Sequence, residues 1–345
     1  MRAALSVVLL LFALAAWAAN DAQLVEWMRQ AMRGDAAART SLEETARSGD
    51  ADAAHLLGHL YLRGQGVSRS EATAMQWFER AAQQGNVESM HNLGVLYERA
   101  PQGKRDLAAA RRWYQAAAEK GFARSQANLG QMLVEGAGGA VDLEAGRRWI
   151  ERSAMQRAPR GQYLLGRLFL EGRGAPQDGE QAARWLQLAA ENGERDAQYE
   201  LSLLYGSGTG VVKDVARALE WLRKSAEQEQ VKAQYTLAAL YAGGLYGLPR
   251  DDKQAIDWLR RSARLGYAEA EYALGLAYAE GRGVEKDASQ AYGWLLKAAK
   301  QGHASADAYV KRIQQQVLGP GAPPALPAAG AAGQDAAPAA GGAQK

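Results

Sequence analysis

Apolar and polar positions along this chain repeat on two scales. Within segments of about a dozen residues, apolar side chains return every three or four positions, the spacing of one helical face. The segments themselves return about every 36 residues. Tryptophan marks the register, with Trp77, Trp113, Trp149, Trp185, Trp221, Trp258 and Trp294 separated by 36, 36, 36, 36, 37 and 36 residues. Seven positions before each Trp stands Asp106, Asp142, Asp178, Asp214, Asp251 or Asp287, with Ser70 in the first copy. Such residues cap helices, because the side-chain oxygen accepts from an orphan N–H of the first turn. Ala or Ser follows four residues after each Trp and Ala five after, small enough to admit a neighbouring helix. Glycine then closes the segment in five copies (Gly85, Gly121, Gly193, Gly266, Gly302), while Arg157 and Glu229 stand there in the other two. The segment reads as a helix, B, with Trp as its core residue; truncating a central copy such as Trp185 is expected to cost about 3–5 kcal/mol.

A second helix, A, precedes each B. Leu57-Gly58, Leu93-Gly94, Leu129-Gly130, Leu165-Gly166 and Leu274-Gly275 recur in register, with Leu201-Ser202 and Leu237-Ala238 as variants. Tyr61, Tyr97, Leu133, Phe169, Tyr205, Tyr241 or Tyr278 comes four residues later, on the same face. Glycine inside a helix costs about 1 kcal/mol against Ala, so its recurrence predicts a tight helix–helix contact. Turns such as Gly64-Gln65-Gly66 and Gly281-Arg282-Gly283 join A to B, and the single 37-residue spacing traces to one extra residue in the turn around Gly243–Gly247. The predicted architecture is all-α, with seven two-helix repeats over residues 51–303. A degenerate helical pair occupies 19–50, with Ser41 where Trp would stand, and a polar capping helix 304–318, with Lys311 in place of glycine. Terminal units of a stack need such atypical faces. Residues 319–345 are Ala, Gly and Pro with little bulky apolar content, the composition of a disordered tail.

The order Leu-Gly-x-x-Tyr, x-Gly-x-Gly-Val, Asp, Trp, Ala-Ala, x-x-Gly at this period resembles the Sel-one-like repeats, relatives of the tetratricopeptide repeats; Leu274 to Val284 is the closest copy. The resemblance implies a right-handed α/α superhelical solenoid whose concave groove serves as an adaptor for proteins. In exported bacterial members it points to envelope assembly, polysaccharide secretion or host contact. Cysteine-rich relatives are linked to penicillin binding, but this chain has no Cys, and that activity is not carried over.

Net charge is +3 with both signs interspersed, which argues against a nucleic-acid partner. No Ser-x-x-Lys or Gly-x-Ser-x-Gly occurs, and Gly206-Ser207-Gly208-Thr209-Gly210 is one copy of the A–B turn without the Lys of a phosphate loop. The expectation is a non-enzymatic protein with no cofactor. Asp52, His55 and His59 share a helical face at metal-ligand spacing. His91 lies 36 residues after His55, however, and the same register holds Tyr163, Tyr199, Tyr235 and Tyr272, so His55 reads as a variant of a repeat position. That register lies about 160° around helix A from the buried Leu. His55, His91 and the four Tyr are therefore expected to line the groove, with Leu203 and Leu276 on the same face. Packing between adjacent A helices is the other use open to the tyrosines. Asn92 and Asn128, one position on, could hydrogen-bond a ligand backbone or bridge neighbouring helices. The function expected is a scaffold of the cell envelope that binds protein segments; the alternative is a carbohydrate-binding scaffold for envelope polysaccharide.

The first residues stand apart. Arg2, the apolar run Leu5 to Ala16 and the small-x-small sequence Ala16-Trp17-Ala18 have the order of a secretory signal, residues 1–18. Export to the periplasm or medium and cleavage after Ala18 are expected, leaving no stable membrane insertion. Intact-mass measurement on protein from the envelope fraction checks this: the mature chain should begin at Ala19, and a mass retaining Met1 would mean an uncleaved anchor.

Overall fold

A computed structural model describes residues 22–101 and 104–318. The expected leader and tail, 1–18 and 319–345, lie outside the described residues. The described residues are helical throughout, without strands: α1 (22–32), α2 (Ala36–Arg47), then alternating A and B helices. The A helices are α3 (Ala51–Arg63), α5 (Val87–Arg99), α7 (Ala123–Glu135), α9 (Pro159–Glu171), α11 (Arg195–Ser207), α13 (Val231–Gly243) and α15 (Ala268–Glu280). The B helices are α4 (Glu71–Gln83), α6 (Leu107–Glu119), α8 (Leu143–Met155), α10 (Gly179–Glu191), α12 (Val215–Glu227), α14 (Asp252–Arg264) and α16 (Ala288–Lys300). Helix α17 (Ala304–Leu318) follows. This is an α/α solenoid of two-helix repeats. The chain divides into two compact units after Gln177, within the A–B turn of the fourth repeat. In each unit, helices pack on their sequence neighbours: α2 to α9 in the first, α10 to α17 in the second.

Local chemistry sets the helix ends. Every B helix from α4 to α16 starts at the expected Ser or Asp, whose side chain accepts from a first-turn N–H. Six A helices, α3, α7, α9, α11, α13 and α15, end in a left-handed glycine. Arg157 and Glu229, which replace the stop glycine of helix B, keep its left-handed backbone at φ 60° and 61°. Holding an L-residue there costs roughly 1–2 kcal/mol, so the surrounding packing imposes the turn.

Leu57, Leu93, Leu129, Leu201, Leu237 and Leu274 are buried, as the A-helix pattern predicts. Tryptophan is different. Each of the seven is only half-buried, and in six copies the residue after it is the one enclosed: Phe78, Tyr114, Ile150, Leu186, Leu222 and Leu295 are at most 2% exposed, while Leu259 is half-buried. Five Trp rings instead carry the cation one turn on, with Arg80, Arg152, Lys224, Arg261 and Lys297 at 3.9–5.2 Å from the ring centroid. The in-register glycine of helix A makes room for the enclosed side chain. A Cβ at Gly58 would lie 2.5 Å from the Phe78 ring, and one at Gly94 2.6 Å from Tyr114.

Buried polar groups stitch repeat to repeat. Gln126, Gln198 and Gln234, one position before the aromatic register, donate to Ala118, Ala190 and Ala226 carbonyls at the end of the preceding B helix. Their carbonyl oxygens face the end of the following B helix. There Gln156 donates to Gln126 at 2.7 Å and Gln228 to Gln198 at 2.8 Å. Gln301 does the same to Glu271, the acid at this register in the last repeat, whose carboxyl burial pushes above the usual range. The corresponding donor position for Gln234 holds Leu265, 48% exposed, and Gln234 Oε1 is buried with no partner. Leu265→Gln should supply the missing donor and stabilise the protein by about 1 kcal/mol. Chemical denaturation of the two proteins checks the sign; destabilisation would show that the amide cannot reach.

Candidate functional site

The expected site residues divide between the two units. In the first, His55 and His91 are half-buried and reach the next A helix: His55 Nδ1 is 2.8 Å from Ser89 Oγ, and His91 Nδ1 2.9 Å from Ser125 Oγ. The His55 ring also meets His59 edge-on at 4.6 Å, and His91 lies 5.2 Å from Phe122. Asn92 donates to His59 Nε2 at 3.3 Å, bridging α5 to α3. Asn128 hydrogen-bonds Tyr114, whose hydroxyl donates to Glu98 at 2.6 Å. Both asparagines thus make helix-bridging contacts. Tyr163 is 7% exposed, under the guanidinium of Arg160 at 5.2 Å, and presents little surface.

The candidate metal ligands do not converge. Asn86 donates to Asp52 at 2.9 Å, His55 is engaged with Ser89 and lies 3.4 Å from Glu88, and His59 takes Asn92. Among the described residues no group of three or more His, Asp or Glu is placed to hold a metal ion.

In the second unit the register carries three half-buried tyrosines. Tyr199 on α11 hydrogen-bonds Thr236 on α13, Tyr235 meets Tyr267 at 5.5 Å between ring centroids, and Tyr272 stacks on His303 at 4.4 Å. Each register residue therefore lies across the junction with the next A helix while keeping part of its ring accessible. Leu203 and Leu276, also half-buried, share this face, edged by exposed Lys232 and Glu269. Tyr267 and His303 escaped the sequence reading because they precede the A helices, where a capping residue rather than an aromatic is expected.

Burial lowers the pKa of three histidine rings, His55, His59 and His91. Burial lowers His55, partly offset by Glu88 and Asp52. Burial, then His55 and Arg63, lowers His59 to about 4; burial, then Arg124 and Arg99, lowers His91 to about 4.

A family model described as the Sel1 repeat matches seven times, at 51–86, 87–122, 123–157, 159–194, 195–229, 231–267 and 268–303. Among solved structures, a Sel1 repeat protein from Oxalobacter formigenes is 30% identical with a TM-score of 0.63, covering 84% of this chain and 86% of that one. A protective antigen present in uropathogenic Escherichia coli strains, displaying an SLR fold, is 32% identical with a TM-score of 0.61 over 81% of this chain. The match spans 59% of the antigen's own length. No curated protein matches.

The lowered imidazoles give an acid dependence of defined sign. Below pH 6.5 the unfolded chain binds protons that folded His59 and His91 do not accept until about 4. Their contribution to stability is complete above pH 6.5 and is lost as pH falls from 6.5 to 4. Denaturation midpoints measured across that window should fall for the wild type and flatten in His59→Gln/His91→Gln; an unchanged slope would assign the acid response to other groups.

Proposed function

The chain belongs to the Sel1 repeat family, and from that premise we propose that it is a non-enzymatic scaffold of the cell envelope whose A-helix face binds extended segments of partner proteins. Sel1 repeat proteins are generally protein-interaction scaffolds and generally not catalysts. No described helix is long and apolar enough to cross a membrane. The envelope assignment rests on the leader pattern of residues 1–18. One observation carries the binding assignment: Tyr199, Tyr235 and Tyr272 recur on successive A helices, in one register, half-buried rather than enclosed. Helices pack about 8–10 Å apart, and an extended chain rises ~3.3 Å per residue, so successive rings would meet about every third residue of a bound segment. Partly exposed Tyr suits such contacts, with an apolar ring and a wet hydroxyl.

Affinity capture from native envelopes tests the reading. Tyr199→Ala/Tyr235→Ala should lose the captured protein while retaining helical signal, since anchor truncation typically costs about 2 kcal/mol or more. Because these rings also pack between helices, Lys232→Glu/Glu269→Lys serves as a second variant. Both side chains are exposed, so this pair should fold as the wild type and bind more weakly. Full binding by both variants would remove the A-helix face as the docking surface, and capture of glycan in place of protein would favour a carbohydrate scaffold.

A further inference from the structure

Along the second unit the aromatic register builds a corner at one repeat. Tyr235 on α13 faces Tyr267, the residue just before α15, with ring planes inclined at 70°. Tyr199 reaches the same place from α11 through its hydrogen bond to Thr236, the residue next to Tyr235. The position of Tyr267 is held by Asn86, Gln230 and His303 in repeats where the side chain accepts from a first-turn N–H, and by Phe122, Ala158 and Glu194 in repeats without such a cap. Tyr267 makes no such cap, so α15 forgoes a contribution that capping side chains ordinarily provide. In its place a third ring joins the two register tyrosines.

The electrostatics of the corner are negative. Glu269, exposed on the first turn of α15, hydrogen-bonds Tyr267. Burial first, then Glu269, Tyr199 and Tyr235, push the Tyr267 hydroxyl up to about 12, so these groups converge on one spot. Glu200 adds negative charge beside Tyr199, and exposed Lys232, one turn before Tyr235, is the basic residue on this face. Aromatic faces backed by a carboxylate attract a cation with an apolar or planar body, and reject an anion.

We propose that Tyr199, Tyr235, Tyr267 and Glu269 form a cage for an arginine or lysine side chain of a bound protein segment. The cage deepens the proposed function and rests on it: the A-helix face supplies the track, and this corner selects the charge of one residue on the segment. The first unit has the equivalent pair without phenols: the same register holds His55 and His91 there, engaged with Ser89 and Ser125, and Phe122 stands where Tyr267 does, 5.2 Å from His91.

The test uses the full chain with ring-labelled tyrosine and two short capped alanine peptides, one bearing a central arginine and one citrulline, the neutral isostere. In NMR titrations the arginine peptide should shift the Tyr199, Tyr235 and Tyr267 ring signals, with affinity about 5-fold above the citrulline peptide. Glu269→Gln should remove most of that advantage and leave citrulline binding as it was; Glu269 is exposed, so the variant should fold normally. Equal binding of the two peptides at these rings would overturn the cage while leaving the face a docking surface. No shift of the three rings by the arginine peptide would also overturn it, whatever the capture experiment shows.

Discussion

In four repeats the backbone of helix A lies against the side chain that follows tryptophan on helix B, and the rest of the array is arranged around that contact. Gly58 and Gly94 leave no Cβ between α3 and Phe78, or between α5 and Tyr114. Glycine there gives up about 1 kcal/mol of helix propensity, and the enclosed ring more than offsets it through its buried area. With the two axes held this close, small residues on helix B, such as Ala81 and Ala117, are buried too, and the serines at that register reach the neighbouring backbone. Ser153 donates to Ala123 O, Ser225 to Arg195 O and Ser262 to Val231 O, at 2.7–2.8 Å. Tight apolar contact within a repeat is thus reinforced by polar bonds from helix B to the first residue of its own helix A.

The junctions between A helices carry the chemistry that varies. One register takes His in the early repeats and Tyr in the later ones, and both span the seam. Imidazole meets a serine hydroxyl of the next helix, whereas the longer phenol reaches a threonine, a second ring or His303. A position that must bridge two helices and still edge into solvent suits residues with a flat apolar body and one polar tip. Structural and recognition roles therefore coincide at Tyr199 and Tyr235, and the exposed charges beside them separate the two.

Repeat length, helix pairing, N-caps and the buried leucine stripe were legible in the sequence because each rests on local chemistry repeated seven times. Tryptophan was read as the core residue of helix B, yet it packs against the core only partly buried. Its recurrence announced the period, but its size leaves it at the rim, where a cation covers the ring, while its variable neighbour (Phe, Tyr, Ile or Leu) fills the core. The N-terminal pair shows the same logic: Ser41 stands in the tryptophan position, yet Leu42 after it is fully buried. The candidate face was legible as a register but not as an environment. The spending of Asp52, His55 and His59 on different partners, and the joining of Tyr267 to Tyr235, depend on side chains at the next A helix. Helical periodicity says nothing of those.

The glutamine bonds between repeats run in one direction. Gln126, Gln198 and Gln234 reach back to the B helix before them, and the second glycine of the A–B turn does likewise. A Cβ at Gly210 would collide with the carbonyl of Gly179, and at Gly138 with that of Leu107, each the first residue of the preceding B helix. A 36-residue cassette therefore carries the donor half of one seam and the acceptor half of the next. Duplicating or deleting a whole cassette restores these backbone-directed bonds without a compensating change elsewhere, so such a chain can change length by recombination while this part of each junction stays complete.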